Sequence, residues 1–277
     1  MLDTTRPVIP SPAARMQRVK GRAHVVVGPN GLRDLAQSGS AKAMLPRVHS
    51  ATPEVVFLNT SGGLTGGDVL DYTLEAEDGA ALTGASQTAE RAYAATVDAL
   101  PASVSIRLKA GRGATLNWLP QETILFEGAA LERTTCADLA ADARFLFVET
   151  VVLGRAAMGE SLHRLTFRDR REVRRGGRLD YLEPLEINAS TLATRDNAVT
   201  LAGARAVATI GLFDQGAEDL AEALRDVTQE GVTAGVSGWN GKLVIRAMAA
   251  DGYPLRRYVA QTIEKLTRGP LPRVWQI

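Results

Sequence analysis

The feature of this sequence that most restricts its fold is a period-two alternation of apolar and polar side chains. It is clearest at Leu70, Tyr72, Leu74 and Ala76, interleaved with Asp71, Thr73, Glu75 and Glu77. Successive side chains on a strand point to opposite faces, so this pattern describes a strand with one face buried and one in water. The same alternation recurs at Val104, Ile106, Leu108 and Ala110 against Ser103, Ser105, Arg107 and Lys109, and at Leu116 and Trp118 against Thr115 and Asn117. Glycine-bearing breaks at 110–113, at Gly176-Gly177 and at 238–241 separate such runs and suit tight connections. A mainly β chain of many short strands is expected.

Helical spacing is confined to two stretches in the carboxyl-terminal half. Leu220, Leu224 and Val227 carry it within 216–231, and Leu255, Tyr258, Val259, Thr262, Ile263 and Leu266 carry it further on. Two α-helices are expected there, with shorter helical turns at 32–37 and 88–93. Strands do not alternate with helices in βαβ fashion, which argues against a nucleotide-binding parallel sheet. No segment is of low complexity and no fixed-period repeat emerges, so residues 1–277 read as a single domain. The head, residues 1–15, contains Pro7, Pro10 and Pro12 and reads as an exposed, partly ordered arm. The tail from Gly269 through Pro270 and Pro272 to Trp275 has too much proline for a helix. Its apolar end needs cover, on its own fold or on a partner.

Composition narrows the function classes. With 32 Lys+Arg against 31 Asp+Glu there is no global field to attract nucleic acid or an anionic membrane. The longest apolar run, 145–153, is interrupted by Glu149 and falls well short of the roughly 20 residues that span a bilayer. A lone Cys136 cannot form an intramolecular disulfide, and the first fifteen residues lack the apolar stretch of a secretory signal. Both favour a cytoplasmic location. The three histidines, His24, His49 and His163, show no HxH, HxxxH or CxxC-like spacing, so a tight structural zinc site is not expected. No GxSxG elbow is present and Cys136 has no histidine beside it, so a nucleophile triad has no support.

The densest glycine cluster, Gly62-Gly63-Leu64-Thr65-Gly66-Gly67-Asp68, follows the strand-like Val55-Val56-Phe57-Leu58. A phosphate loop would need a lysine and a hydroxyl residue after the last glycine, where Asp68 adds negative charge instead. Glycines permitting positive φ in a sharp connection explain the cluster, with Asp68 capping a turn or lying at the surface. The stretch Ser86 to Tyr93 has serine-to-glutamate spacing that could start a helix. Gln121 and Glu122 sit in an apolar framework, where a carboxylate could act as a general base or ion contact, or could simply mark an exposed edge before a strand. Seven arginines fall within 164–178, among them Arg170-Arg171 and Arg174-Arg175. A solvated hairpin or a dock for an acidic protein surface would account for them.

Taken together, several segments resemble the UreD family of urease accessory proteins, called UreH in some bacteria. They are the glycine cluster ending in Asp68, Gln87-Thr88-Ala89-Glu90 with Tyr93, the run 118–129, Gly154-Arg155-Ala156-Ala157-Met158-Gly159-Glu160, and Pro272-Arg273-Val274-Trp275. Their order and spacing match across nearly the whole chain, and Trp118-Leu119-Pro120-Gln121-Glu122-Thr123-Ile124 is the most diagnostic part. The resemblance implies a β-helix-like, solenoid body with two helices. It also implies a non-catalytic maturation factor that bridges apo-urease to UreF and the GTPase UreG while nickel is inserted, with GTP hydrolysis belonging to the partner.

A scaffold of that kind could pass a divalent ion along weak oxygen-rich contacts without a tightly bound cofactor, since dense His and Cys ligation would trap nickel. Within the matched segments, Asp68, Gln87, Glu90, Gln121, Glu122 and Glu160 are the candidates for lining such a route or touching a partner. Two other readings remain: a hydrolytic or isomerising enzyme using Glu122 with a second carboxylate, and a β-rich interaction module using the arginines of 164–178.

Overall fold

Wherever apolar and polar residues alternate, the chain is extended. A computed structural model describes residues 18–47, 52–155, 158–267 and 269–276. The expected arm at 1–15, His49 and Ala156-Ala157 lie outside the described residues. In chain order the strands are Lys20–Gly28 (β1), Gly31–Gly39 (β2), Ala41–Met44 (β3), Glu54–Asn59 (β4), Val69–Ala76 (β5), Ala81–Ser86 (β6), Glu90–Ala92 (β7), Ala102–Ala110 (β8) and Thr115–Trp118 (β9). They continue as Thr123–Leu125 (β10), Ala130–Leu139 (β11), Arg144–Leu153 (β12), Thr166–Arg175 (β13), Arg178–Asn188 (β14), Ala206–Phe213 (β15), Val232–Trp239 (β16) and Lys242–Ala249 (β17). One sheet has the order β14-β13-β11-β8-β5-β1-β2 and the other β16-β17-β15-β12-β9-β6-β4-β3, with β7 and β10 as a short flank on β12. The mainly β expectation is borne out, and neither sheet closes on itself.

Neighbours in the middle of both sheets are parallel: β1, β5, β8, β11 and β13 in the first, and β4, β6, β9 and β12 in the second. Parallel strands need a long crossover, usually a helix. Here the crossover is a strand of the opposite sheet, because the chain runs from β5 to β6, back to β8, on to β9, and so to β13. Parallel sheets therefore form without any βαβ unit. Successive turns differ in length, since Ala81 aligns with Thr115 while Thr115 aligns with Arg144. That inequality is why the sequence shows no fixed repeat.

Leu70, Tyr72 and Leu74 of β5 and Val104, Ile106 and Leu108 of β8 face Phe57, Leu82, Leu116, Trp118 and Phe147 of the other sheet in one core. The outer face of the first sheet is wet and carries cross-strand pairs such as Arg107 to Asp71 at 3.3 Å and Lys109 to Glu75 at 2.6 Å. Pairs so exposed contribute little to stability. The second sheet is different at its β12 end. There Phe145, Phe147 and Val151 point into the core between the sheets, while Leu146 and Val148 lie in a second core with Ile210, Leu212, Ile245 and the helix Gly252–Thr267. With both faces covered, β12 reads as an almost continuous apolar run, broken at Glu149 and Thr150.

The helices depart from expectation in two ways and meet it in a third. A short helix, Ala189–Ala193 (α1), has no apolar periodicity to announce it; Asn188 caps it by accepting from the amides of Ser190 and Thr191. The helix expected within 216–231 is only a 3₁₀ turn at Ala217–Leu220 and one turn of α-helix at Ala221–Arg225 (α2). The remaining helix, Gly252–Thr267 (α3), buries the six residues that the spacing named.

Residues 32–37 are not helical. They belong to β2, paired antiparallel with β1, where cross-strand bonding overrides a two-turn apolar spacing. Residues 88–93 likewise hold β7, paired parallel with β10, and Tyr93 donates its amide to the Leu64 carbonyl at 2.7 Å. No helix among the described residues is long and apolar enough to cross a membrane.

Candidate functional site

Between the two sheets, period-two geometry turns Arg133 of β11, Glu149 of β12, and Asp169 and Arg171 of β13 inward, all at least nine-tenths buried. Arg133 donates to both Asp169 oxygens, from Nε at 3.0 Å and Nη2 at 2.7 Å, and its Nη1 lies 2.7 Å from Glu149 Oε2. The same Nη1 reaches Thr123 Oγ1 at 3.1 Å, and Trp118 donates its indole N–H to Glu149 at 3.2 Å. Arg171 extends the chain of charge to Glu183 at 3.2 Å. Burial pushes the Glu149 carboxyl up against the pull of Arg133. Burial also opposes ionisation of Asp169, but the charge and hydrogen bonds of Arg133 hold its carboxyl below the usual range. Thr135, the next inward position on β11, has a buried hydroxyl with no hydrogen-bond partner among the described residues. Over β11, β13 and β14 an open hollow of about 560 Å3 has Arg133 and Asp169 in its lining.

The residues singled out from sequence fall in three places. Asp68 is buried and accepts from the amides of Val19 at 2.7 Å and Thr65 at 2.8 Å, so it caps the turn of the glycine loop. Gly62, Gly63 and Gly67 there have φ of 81°, 145° and 84°, which accounts for the cluster without a phosphate. Glu90 lies close by, lining a small cavity with Asn59, Tyr72 and Arg91. Burial pushes its carboxyl up to about 7, opposed by the Arg91 amide and the Asn59 side chain. Gln87 is exposed, its amide bound to the Phe57 carbonyl at 2.8 Å.

Gln121 and Glu122 form the second place. Gln121 is buried, which corrects the reading of an exposed edge. Its Nε2 donates to the Val274 carbonyl at 3.0 Å and its Oε1 accepts from Arg256, which also bonds Glu122 Oε2 at 3.2 Å. The Arg256 guanidinium lies 4.8 Å from the centre of the Trp275 ring, and Trp275 donates its N–H to the Leu119 carbonyl at 2.9 Å. The carboxyl-terminal tail thus docks on its own fold, against the most diagnostic segment of the sequence.

Glu160 is the third place, apart from the others. It accepts from the Glu127 amide at 3.1 Å and from the amide and Nε of Arg155 at 2.9 and 3.0 Å. The arginines of 164–178 are a hairpin, β13 and β14 turning at Gly176-Gly177, but Arg171 is buried in the interior cluster and is no part of a solvated face. Burial pushes the Cys136 thiol up, away from the thiolate a nucleophile needs.

The interior cluster was readable in part. Arg133 is in phase with the apolar Leu131, Ala137 and Leu139, and Asp169 and Arg171 with Phe167 and Val173. A charge on the apolar phase of a strand is the signal.

Glu90 gives a direct pH test. Its folded carboxyl titrates near 7 and its unfolded one near 4.5, so its contribution to stability is present below 4.5 and is lost as pH rises through 7. Glu90→Gln should match the parent below pH 4.5 and exceed it by up to about 3 kcal/mol above pH 8, in urea midpoints. An equal difference at both pH values would contradict this.

Among the described residues no group of three or more His, Cys, Asp or Glu side chains is placed to hold a metal ion. The geometry is that of a mainly β body whose buried charges satisfy one another. The sequence model of the UreD urease accessory protein family matches residues 18–276. The urease accessory protein UreD of Dinoroseobacter shibae is 52% identical over 269 residues, covering 95% of this chain and 94% of that one. That of Jannaschia sp. is 50% identical over the whole of both chains, and that of Rhizobium etli 42% identical over 96% of this chain and 98% of its own. The chain belongs to the UreD family of urease accessory proteins.

Proposed function

We propose that this protein is a non-catalytic cytoplasmic scaffold, a single unit over residues 1–277, that bridges apo-urease to UreF and UreG and assists GTP-dependent insertion of nickel. Family membership supplies the urease role. The structural observation that supports passage of an ion is the interior cluster: Glu149 and Asp169 lie between the sheets with Arg133 and Arg171, beside the Thr135 hydroxyl, which has no hydrogen-bond partner among the described residues. The coil of the chain from β5 to β13 is read as a two-layer solenoid whose inside is polar at this one level. Buried polar groups left over in such a place hold water, and water with carboxylates makes weak, exchangeable contacts for a divalent ion.

The two arginines neutralise those carboxylates, so an ion entering there competes with Arg133 and is held loosely. Nickel is cargo in this reading, with no resident site. Asp68, Gln121 and Glu160 act as supports of the fold, whereas Glu90 and Glu122, although bonded to Asn59 and Arg256, each line a cavity. Glu90 and Glu122 remain the candidates for ion or partner contact.

The test is co-expression with urease subunits and the remaining accessory proteins, with and without this chain, followed by urease activity, bound nickel and pull-down. Urease made without the chain should lack nickel and activity. Glu90→Ala with Glu122→Ala should lower nickel loading while the protein stays folded. Full activation without the chain would overturn the scaffold role, and unchanged loading in the folded double variant would remove those two residues from it.

A further inference from the structure

We infer that six side chains of alternating charge form one coupled row, through which the exposed guanidinium of Arg246 sets how tightly Arg133 holds the buried carboxylate of Glu149. The row starts on β12 with Glu149, whose Oε2 lies 2.7 Å from Nη1 of Arg133 on β11. Arg133 Nη2 lies 2.7 Å from Oδ2 of Asp169 on β13, and the same oxygen is 3.4 Å from Arg171 Nε. Arg171 Nη1 is 3.2 Å from Oε2 of Glu183 on β14, and Glu183 Oε1 accepts from Nε of Arg246 on β17 at 2.8 Å. The row thus leaves the second sheet at β12, runs over three strands of the first, and returns to the second at β17. Side-chain exposure rises along it from 1% at Glu149 to 60% at Arg246.

The order of the charges couples the two ends. Arg133, Asp169, Arg171 and Glu183 each stand between two groups of opposite sign, and none is more than 12% exposed. Each therefore turns to its remaining neighbour when the other is lost, because polar links in a low-dielectric interior polarise one another. Removing Arg246 leaves Glu183 to Arg171 alone. Arg171 then gives less to Asp169, Asp169 turns to Arg133, and Arg133 relaxes its hold on Glu149. The give lies in the middle of the row: neither Arg171 Nε nor Glu183 Oε2 has a hydrogen bond among the described residues, so those two links are ion contacts with room to tighten.

A direct field competes with this route, since Glu149 and Arg246 are both register partners of Thr209 and stand two strands apart. Both routes weaken the pull on Glu149 when Arg246 is lost, but only the row needs Glu183. A reporter is built in. Glu149 is faced by Arg133, Asp169, Arg171 and the indole N–H of Trp118, which donates to its Oε1 at 3.2 Å. The chain has three tryptophans, so its indole N–H spectrum has three signals to assign.

In proton–nitrogen correlation spectra of the full-length chain, Arg246→Met should displace the Trp118 indole signal and leave that of Trp275 in place. In a Glu183→Gln protein, adding Arg246→Met should produce less than half of that displacement. Glu183→Asp, one methylene shorter, takes the place of Glu183→Gln if the latter does not fold. An unmoved Trp118 signal in Arg246→Met, or half or more of the displacement surviving without Glu183, would overturn the coupling.

The coupling rests on geometry alone; its use, to set how readily an ion displaces Arg133, rests on the reading proposed above. In equilibrium dialysis of the isolated chain, Arg246→Met should bind Ni2+ about two- to thirtyfold more tightly than the parent. Equal affinity beside a displaced Trp118 signal would overturn that use and leave the coupling intact. Full urease activation without the chain would count against the accessory role, with the spectra of the isolated chain still standing.

Discussion

Replacing Arg133 by methionine should lower the stability of this protein by about 3–5 kcal/mol, the usual cost of removing one partner from a buried ion pair. Methionine keeps most of the volume, so the loss reports charge. Arg133 is the group that both Glu149 and Asp169 face at 2.7 Å, and both carboxylates are almost completely buried. Without it burial would push both carboxyls up against Arg171 as the one guanidinium still beside them, so the deficit should be smaller at acid pH and grow as pH rises through their new folded values. Adding Glu149→Gln and Asp169→Asn should recover more than half of the loss, because the orphaned charges are then gone. Guanidinium midpoints of the single and triple variants at two pH values make the check. If the single variant is as stable as the parent, the cluster is not a coupled unit.

Trp275→Ala should destabilise by about 3–5 kcal/mol, as large aromatic truncations in cores do. Although it lies in a proline-rich tail, Trp275 is 5% exposed and packs in the second core under the helical layer. Removing it vacates the stack beneath Arg256 and leaves the Leu119 carbonyl without its donor. Trp275→Phe keeps a ring there but loses the N–H, so it should cost about 1–3 kcal/mol. Thermal melts should rank the two variants in that order. A Trp275→Ala protein that melts with the parent would mean that the tail is an appendage.

Much of the strand content could be read from period two because the first sheet has one wet face, so Asp71 and Glu75 announce Leu70 and Leu74. The parallel pairing could not. It depends on which turn of the coil lies beside which, and unequal turn lengths leave no periodic trace. The false helical turn at 32–37 failed for a related reason, since an edge strand with exposed residues has no buried stripe to enforce alternation. At the site, the sequence singles out Gln121 and Glu122 but not their link to the tail, because Val274 and Arg256 are remote in the chain. Arg133 and Asp169 are hidden from composition because their charges sit on the buried phase of β11 and β13, where side chains are ordinarily apolar.

The alternation of the chain between sheets also sets an order of assembly. Each parallel strand waits for the next turn to supply its neighbour, so a growing chain presents two unfinished sheet edges at every stage of synthesis. Parallel pairing across such separations is slow, and open edges attract other chains. The covering layer comes later still, since α3 and Trp275 follow every strand. A nascent or truncated chain would therefore stay sticky until those residues leave the ribosome, and the yield of soluble protein should depend on how long translation holds them back.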